Sequence, residues 1–533
     1  MFLYTIQYFL NRLWKFENDT FSMLAVFLLA LCVVRFIQFY MELKALPPGP
    51  WGVPILGLLP TLSGIRAPYL HYLELKQKYG PLFSMKVGSQ LHVIMTDYKL
   101  IRDTFRKDEF SGRPQGPFHD LLSGYGIINS EGKLWKDQRR FLHNRFRNFG
   151  VTYLGSGKNQ IEKRIMGEVV EFLSVLKSFE GAPTDPSPIL SVCISNVICE
   201  MMMSVRFTHN DPKFLRFMGL TQEGLQLWGS MNYATCIPVL QYFPKFRVIL
   251  KKLGENRDEM SAFFQEQLEE HRRTFDPENI RDLIDTYLLE IEKAKENGTD
   301  SNLFEGRNHD RQIRQVIADL FTAGMETIKN TLQFAILYMI HHPESLRAVQ
   351  DELDQIVGRN RLPKLEDLPY LPTTESTLYE VMRISSIVPL GTEHSPIRDV
   401  TVNGYRIPQN THVHPFLHAV HMDPNLWDEP ERFNPSRFIN SAGNCVKPEY
   451  FLPFGVGRRM CLGDVLARME LFLFFSSMLH TFNISVPEGE KLPSLKPNSG
   501  ITLFPEAFKV CFKPRSLNTD TVHPRQEKNI GVH

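Results

Sequence analysis

Cys461 lies in the run FGVGRRMCLG, Phe454 to Gly463, and a cysteine so placed suits a thiolate that binds iron. A haem iron accepts a thiolate as proximal ligand, and the electron density the sulfur pushes onto the metal favours cleavage of an O–O bond. Such a sulfur needs backbone N–H donors, close approach of the chain to the porphyrin, and a cation nearby. Gly457 and Gly463 permit the turn and the approach, Arg459 supplies the cation, and Phe454 can shield the sulfur. The bland alternative is a buried free cysteine in a glycine turn, the usual fate of a lone Cys. The joint placement of one Phe, two Gly, one Arg and the Cys within ten residues speaks against it.

Three other segments carry candidate chemistry. The run AGMET, Ala323 to Thr327, sets an acid, Glu326, beside an alcohol, Thr327, behind small residues Ala323 and Gly324. An acid–alcohol pair in an apolar channel can deliver protons; the plain alternative is a core helix with a packing glycine. Trp135 and Arg139 stand one helical turn apart in GKLWKDQRRF, so an indole N–H and a guanidinium can reach the same anion. Glu380 and Arg383, at i and i+3 in ESTLYEVMRIS, can pair on one helix face, although such a pair on a surface is worth little.

Those residues need a frame, and helical periodicity supplies most of it. From about Asp310 to His342, closed by Pro343, apolar residues recur with a period near 3.6 and no proline intervenes. About thirty residues at ~1.5 Å each predict a helix of roughly 45 Å, enough to cross a domain. LFSMKVG (82–88) and LHVIMT (91–96) read as a small antiparallel sheet. The class is mainly α with a small β part.

The ends of the chain differ from its body. Phe21 to Val34 reads FSMLAVFLLALCVV and continues past Arg35 as FIQFY. That is about twenty apolar residues if Arg35 snorkels, enough to span a bilayer. No small-x-small cleavage site follows, so residues 1–45 are expected to be a retained membrane signal anchor. Residues 46–60, LPPGPWGVPILGLLP, hold five prolines and predict a stiff non-helical hinge. Residues 61–513 read as one catalytic domain and 514–533 as a polar tail.

Composition excludes several function classes. The formal net charge is +1, so no overall field draws the chain to nucleic acid. Seven cysteines, none in a C-x-x-C pair, argue against a disulfide scaffold, structural zinc and thioredoxin-like chemistry, and for a reducing compartment. His412, His414, His418 and His421 crowd together in HVHPFLHAVH; without an acidic or cysteine partner at ligand spacing they read as loop and core histidines. The G-x-G pairs at 124/126 and 455/457 lack the third glycine of a dinucleotide fingerprint, so electrons must come from another protein.

The Cys461 segment resembles, position for position, the F-x-x-G-x-R-x-C-x-G signature of the cytochrome P-450 superfamily. The resemblance runs from the proline hinge to about Pro514. It implies a haem-thiolate fold holding haem b (iron protoporphyrin IX) on Cys461, with Ala467 on the helix that packs beneath the haem. By the same resemblance Trp135, Arg139, Arg113 (in SGRP), His394 (in PLGTEH) and Arg459 hold the haem propionates. Glu380 and Arg383 would form a structural triad with an arginine from a downstream P-x-R-F segment. PERF and PSRF both qualify, and Arg437 of PSRF, 24 residues before Cys461, has the better family spacing. Ala323, Gly324, Glu326 and Thr327 would serve dioxygen binding and proton delivery. The family's next residue is Thr or Ser where this chain has Ile328, which puts the second hydroxyl of the relay in doubt.

An anchor followed by LPPGP resembles the microsomal members, which sit in the endoplasmic reticulum membrane facing the cytosol. They take electrons from NADPH–cytochrome P-450 reductase, with cytochrome b5 as a further donor, and oxidise lipophilic small molecules. Lys133, Lys136 and Arg140 are candidates for a basic docking face. Within the superfamily, FGVGRRMCLGDVLARMELFLFF and PSLKPNSGITLFPEAFKVC look most like the arthropod ecdysteroid 26-hydroxylases, which hydroxylate the side chain of ecdysone or 20-hydroxyecdysone in hormone inactivation. The alternatives are a broad-specificity xenobiotic or fatty-acid monooxygenase, a reductase-independent haem-thiolate isomerase or dehydratase, and a non-catalytic haem or sterol binding protein.

Overall fold

The computed structural model describes residues 20–50, 52–53, 56–62, 65, 67–152, 157–230, 236–237 and 242–515. Its first element, α1 (Thr20–Ala45), is 26 residues long. It leaves Met23, Leu24, Phe27 and Leu28 each more than half exposed. Among the described residues no helix is long and apolar enough to cross a membrane. Residues 1–19 of the expected anchor and 516–533 of the expected tail lie outside the described residues. What the structure gives here is an exposed apolar helix.

The hinge does not stand free of the domain as a spacer would. Ser84 donates from its backbone N to Pro48 O (2.9 Å) and from its hydroxyl to Pro47 O (2.6 Å). Proline lacks an N–H but keeps its carbonyl, so a proline-rich strand can still be stitched from one side. Gly49 runs so close that a Cβ there would lie 1.6 Å from Ser84 O. The chain then enters α2 (Pro68–Tyr79), β1 (Leu82–Val87), β2 (Gln90–Met95) and α3 (Tyr98–Phe105). The Asp97 side chain caps α3 by accepting from Leu100 N at 2.8 Å.

The two strands expected from alternation pair antiparallel, Leu82 against Met95 and Val87 against Gln90. Some 320 residues later β3 (His412–Pro415) joins β2 in parallel, with His92 opposite His412 and Ile94 opposite His414. Side chains alternate across a sheet. Phe83, Met85 and Ile94 therefore pack with Tyr72 on one face, and Val93 and Val413 pack with Phe105 and Phe110 on the other.

The helical bulk includes α4 (Gly132–Asn148), α5 (Ser187–Met203), α6 (His309–His341), α7 (Pro372–Ser385) and α8 (Asp464–Thr481). The long helix expected over 310–342 is α6, 33 residues and about 50 Å. Asn308 caps it by accepting from Arg311 N (2.8 Å), and it stops just before Pro343. It crosses the molecule packed against α5, α8 and the helix Pro244–Arg273. Phe321, Ile317 and Leu337 are fully buried along it, each contributing about 2–3 kcal/mol of burial.

Candidate haem site

Two glycine turns shape the Cys461 loop. Gly455 and Gly457 have φ of 71° and 84°, values that favour glycine. A Cβ on Gly457 would lie 2.1 Å from Phe105 O, the carbonyl that accepts from Arg458 N at 3.0 Å. The loop is thus pinned to the end of α3. Cys461 N donates to Phe454 O (3.0 Å), and α8 starts directly beyond Gly463 with Ala467 N on Gly463 O (2.8 Å). Cys461 is surrounded by protein yet exposed, so it lines an internal recess. Burial pushes its thiol up to about 11, against the backbone N–H of Gly463 and the guanidiniums of Arg139 and Arg468, which favour the anion.

A cluster of cations stands beside this recess. Arg459 donates to the carbonyls of Ser111 (2.8 Å), Ser130 (2.6 Å) and Ile127 (3.4 Å), and its guanidinium lies 3.9 Å from the centre of the Trp135 ring. Arg139 donates to Met460 O (2.6 Å). Arg113 donates to Ile128 O (2.9 Å) and to the carbonyl of Glu393. Burial, then the neighbouring Arg113 and Arg139, depress Arg459 to about 7; burial depresses Arg113 to about 10, Arg139 adding to it. His394 spends its Nδ1–H on Phe110 O (2.8 Å), and burial with Arg113 beside it keeps the ring neutral. Its other nitrogen is then an acceptor, so it holds an anion only after taking a second proton.

Three guanidiniums this close, each hydrogen-bonded mainly to uncharged backbone oxygens, make a cradle that two carboxylates would relieve. An open recess at a cysteine beside a dianion cradle fits haem with its two propionates.

On the opposite wall is α6. Ala323 is exposed in mid-helix between buried Phe321 and Met325. A cavity of about 40 Å³ brings Thr327, Ile328 and Thr331 of α6 together with Phe454 and with Ala467 of α8. The Thr327 hydroxyl donates to Ala323 O (2.8 Å) and Thr331 to Thr327 O (2.8 Å). Glu326 is not joined to Thr327; it pairs with Lys329 at 2.7 Å. Gly324 lies close against α5: a Cβ there would lie 2.5 Å from Ile198 Cδ1. It is a packing glycine, and its missing side chain lets α5 approach α6.

Glu380, Arg383 and Arg437 come together. Arg383 donates to both Glu380 oxygens (2.7 and 2.8 Å), all of it fully buried, and Arg437 Nε donates to Oε1 at 3.1 Å. Arg432 pairs instead with exposed Glu429. Arg383 also donates to His421 O (2.7 Å), tying α7 to the segment after β3.

Two features were not read from the sequence. Asp319, an acid on the apolar face of α6, accepts from Ile127 N (2.7 Å) and Ile128 N (2.9 Å) and so holds the loop whose carbonyls hold Arg459. His412 and His414 do have an acidic partner, Glu393, and a third histidine, His92, which only the sheet brings near. The expected basic face is partly neutralised: Lys133, Lys136, Arg140 and Arg458 share Asp137 and Asp108. Four cations on two carboxylates leave it net positive.

A mainly helical protein with a small sheet, built around a cysteine recess and a guanidinium cradle, has the form of a haem-thiolate oxygenase. The chain belongs to the cytochrome P450 family, whose model, described as Cytochrome P450, matches residues 47–512. It is 55% identical over 535 residues to Cytochrome P450 18a1 of Drosophila melanogaster, covering 99% of each chain. It is 36% identical to Cytochrome P450 2D6 of Homo sapiens over 88% of this chain and 93% of the human one. To Cytochrome P450 2B15 of Rattus norvegicus it is 35% identical over 89% and 94%. As a family member it is a monooxygenase that carries haem on a cysteine thiolate, takes electrons from a reductase and acts on lipophilic substrates.

Proposed function

We propose that this monooxygenase hydroxylates the side chain of an ecdysteroid, ecdysone or 20-hydroxyecdysone, at its terminal carbon. Haem held on Cys461 supplies dioxygen activation, one oxygen atom entering a C–H bond and the other leaving as water. Cys461 would hold the haem iron through its thiolate, and Arg113, Arg139, Arg459 and Trp135, with His394 once protonated, would hold the propionates. Thr327 Oγ, already a donor to Ala323 O, passes protons along α6; Thr331, one turn on, offers the second hydroxyl that Ile328 lacks. Glu326 would have to leave Lys329 to feed them. Glu380, Arg383 and Arg437 fix the core and do no chemistry.

The observation that carries the substrate is the wording of the two segments around Cys461 and Ile501, supported by a cavity wall of Ile387, Val388 and Met382 with few hydroxyls. That wall suits other lipophiles too, which favours a xenobiotic monooxygenase as second reading. The exposed apolar α1 supports anchoring in the endoplasmic reticulum membrane, and the six cysteines beyond α1, all free thiols, suit a cytosolic catalytic domain. The net positive face of α4 is where an acidic reductase, or cytochrome b5, would dock. The test reconstitutes the protein with reductase and NADPH and offers 20-hydroxyecdysone. A side-chain alcohol or the derived acid is expected; turnover of unrelated lipophiles without it would transfer the assignment to the second reading.

A further inference from the structure

One face of the sheet carries polar groups that the haem site does not use. Opposite positions in β2 and β3 put His92 beside His412, their rings stacked at 4.6 Å, and His92 Nδ1 lies 3.0 Å from His414 Nε2. The antiparallel bridge between His394 and Val413 turns the neighbouring residue, Glu393, to the same face. There Glu393 accepts from His412 Nδ1 at 3.0 Å and stands 3.8 Å from His414 Nε2. Glu393 has protein on every side, yet 47% of its side chain stays open to water. It therefore lines a recess and does not face bulk solvent. The segment that bears it starts on the wall of the Thr327 cavity, at Ile387 and Val388.

The unfilled hydrogen-bonding groups define what fits. Burial keeps His92 and His414 neutral, with neighbouring His412 adding to it in both. A neutral imidazole has one donor and one acceptor, and the contact between the two rings uses one of each. Whichever ring donates, His92 Nε2 and His414 Nδ1 then leave one donor and one acceptor over, and both atoms are buried without a partner. Burial opposes ionisation of Glu393 most strongly, but the hydrogen bond from His412 and the neighbouring imidazoles of His414, His412 and His92 together hold the carboxyl below the usual range. The face thus offers one donor, one neutral acceptor and one anionic acceptor, surrounded by Phe83, Ile94, Phe416 and Tyr72.

We propose that His92, His414 and Glu393 form a subsite that recognises the hydroxyl groups of a neutral polyhydroxylated substrate and rejects carboxylates. A hydroxyl both donates and accepts, which answers the leftover imidazole pair in either tautomer, and a second hydroxyl can donate to Glu393. A fatty acid would place its carboxylate against an anion in a partly dry recess. His412 also walls a recess of about 530 Å³ that reaches Ala45 and Leu46 at the end of α1. The inference deepens the ecdysteroid reading and rests on it for the particular ligand, but the discrimination between hydroxyl and carboxylate belongs to the residues.

The test is a spectral binding titration of the full-length holoenzyme with 20-hydroxyecdysone, cholesterol and palmitic acid. Glu393→Ala should weaken 20-hydroxyecdysone about tenfold, since a hydrogen bond to a charged group is lost. It should leave cholesterol within about twofold. Glu393→Gln should tighten palmitic acid. His92→Phe, which keeps the stack but not the nitrogens, should weaken 20-hydroxyecdysone selectively. Equal weakening of all three ligands, no change in any, or loss of haem in both position-393 variants and in His92→Phe would overturn the proposal. If the wild type binds the polyol selectively but never oxidises its side chain, the subsite stands and the substrate reading falls.

Discussion

The Arg459 guanidinium lies over Trp135, 3.9 Å from the ring centre. The spacing of Trp135 and Arg139 predicts an indole and a guanidinium converging on one anion, and the structure adds a second cation that the indole face supports from below. Arg459 needs that support because Arg113 and Arg139 both repel it. The anion that relieves the three of them is worth more here than at a surface, since burial removes the competing water.

Cys461→Ser should abolish the thiolate signature in the spectrum of the reduced carbonyl complex, because a serine hydroxyl is not a soft anionic donor. Cys193→Ser and Cys511→Ser, both at buried free thiols, should keep it. An unchanged carbonyl spectrum in Cys461→Ser would remove the central assignment.

Thr327→Ala removes a hydroxyl whose hydrogen bond to Ala323 O lies within the helix, so the fold and substrate affinity should hold. Product formed per NADPH consumed should fall by roughly tenfold or more, the balance appearing as peroxide or water. Full coupling in the variant would leave Thr327 a packing residue.

Burial raises Asp319 from its ordinary 3.8 to about 6, and the donors Ile128 N, Gln315 Nε2 and Ile127 N recover only part of that. Between those pH values the native state holds more protons than the unfolded chain, so stability falls as pH rises through the window and is flat above it. The whole effect is about 3 kcal/mol. Asp319→Asn keeps an oxygen for both N–H donors and should flatten this part of the stability–pH curve, measured by denaturant unfolding from pH 4 to 7. An identical slope in variant and parent would refute the assignment.

Deleting residues 1–44 removes nearly all of α1 but leaves Leu46 buried and Pro47 and Pro48 bonded to Ser84. The truncated protein should incorporate haem and move largely to the soluble fraction, with some membrane affinity left from exposed Tyr242, Phe243 and Val248. Loss of haem on truncation would make α1 part of the fold.

What could be read ahead of the structure was local or carried by resemblance. The period of α6 is set by which face is buried, and burial writes itself into adjacent residues; β1 and β2, buried on both faces, show as short apolar runs. The choice of Arg437 over Arg432 needed only a spacing. Glu393 and His92 were out of reach because some 300 residues separate them, and only the parallel pairing of β2 with β3 makes them neighbours. Asp319 gave a signal, an acid among apolar residues of α6, but its partners are backbone N–H groups, which no residue type announces. Gly324 hid its neighbour for a related reason: glycine shows that something comes close, and that neighbour, Ile198, is on another helix.

α3 is eight residues long, about 12 Å, and it touches both ends of the catalytic apparatus. Its first turn is capped by Asp97, two residues past the strand that holds His92, and its last carbonyl is bonded to the loop that holds Cys461. A stiff rod of fixed length therefore sets the offset between the strand that bears His92 and the loop that bears the Cys461 sulfur. Any residue larger than glycine at position 457 would push the loop away from the end of that rod, and the error would surface as substrate oxidised at the wrong carbon.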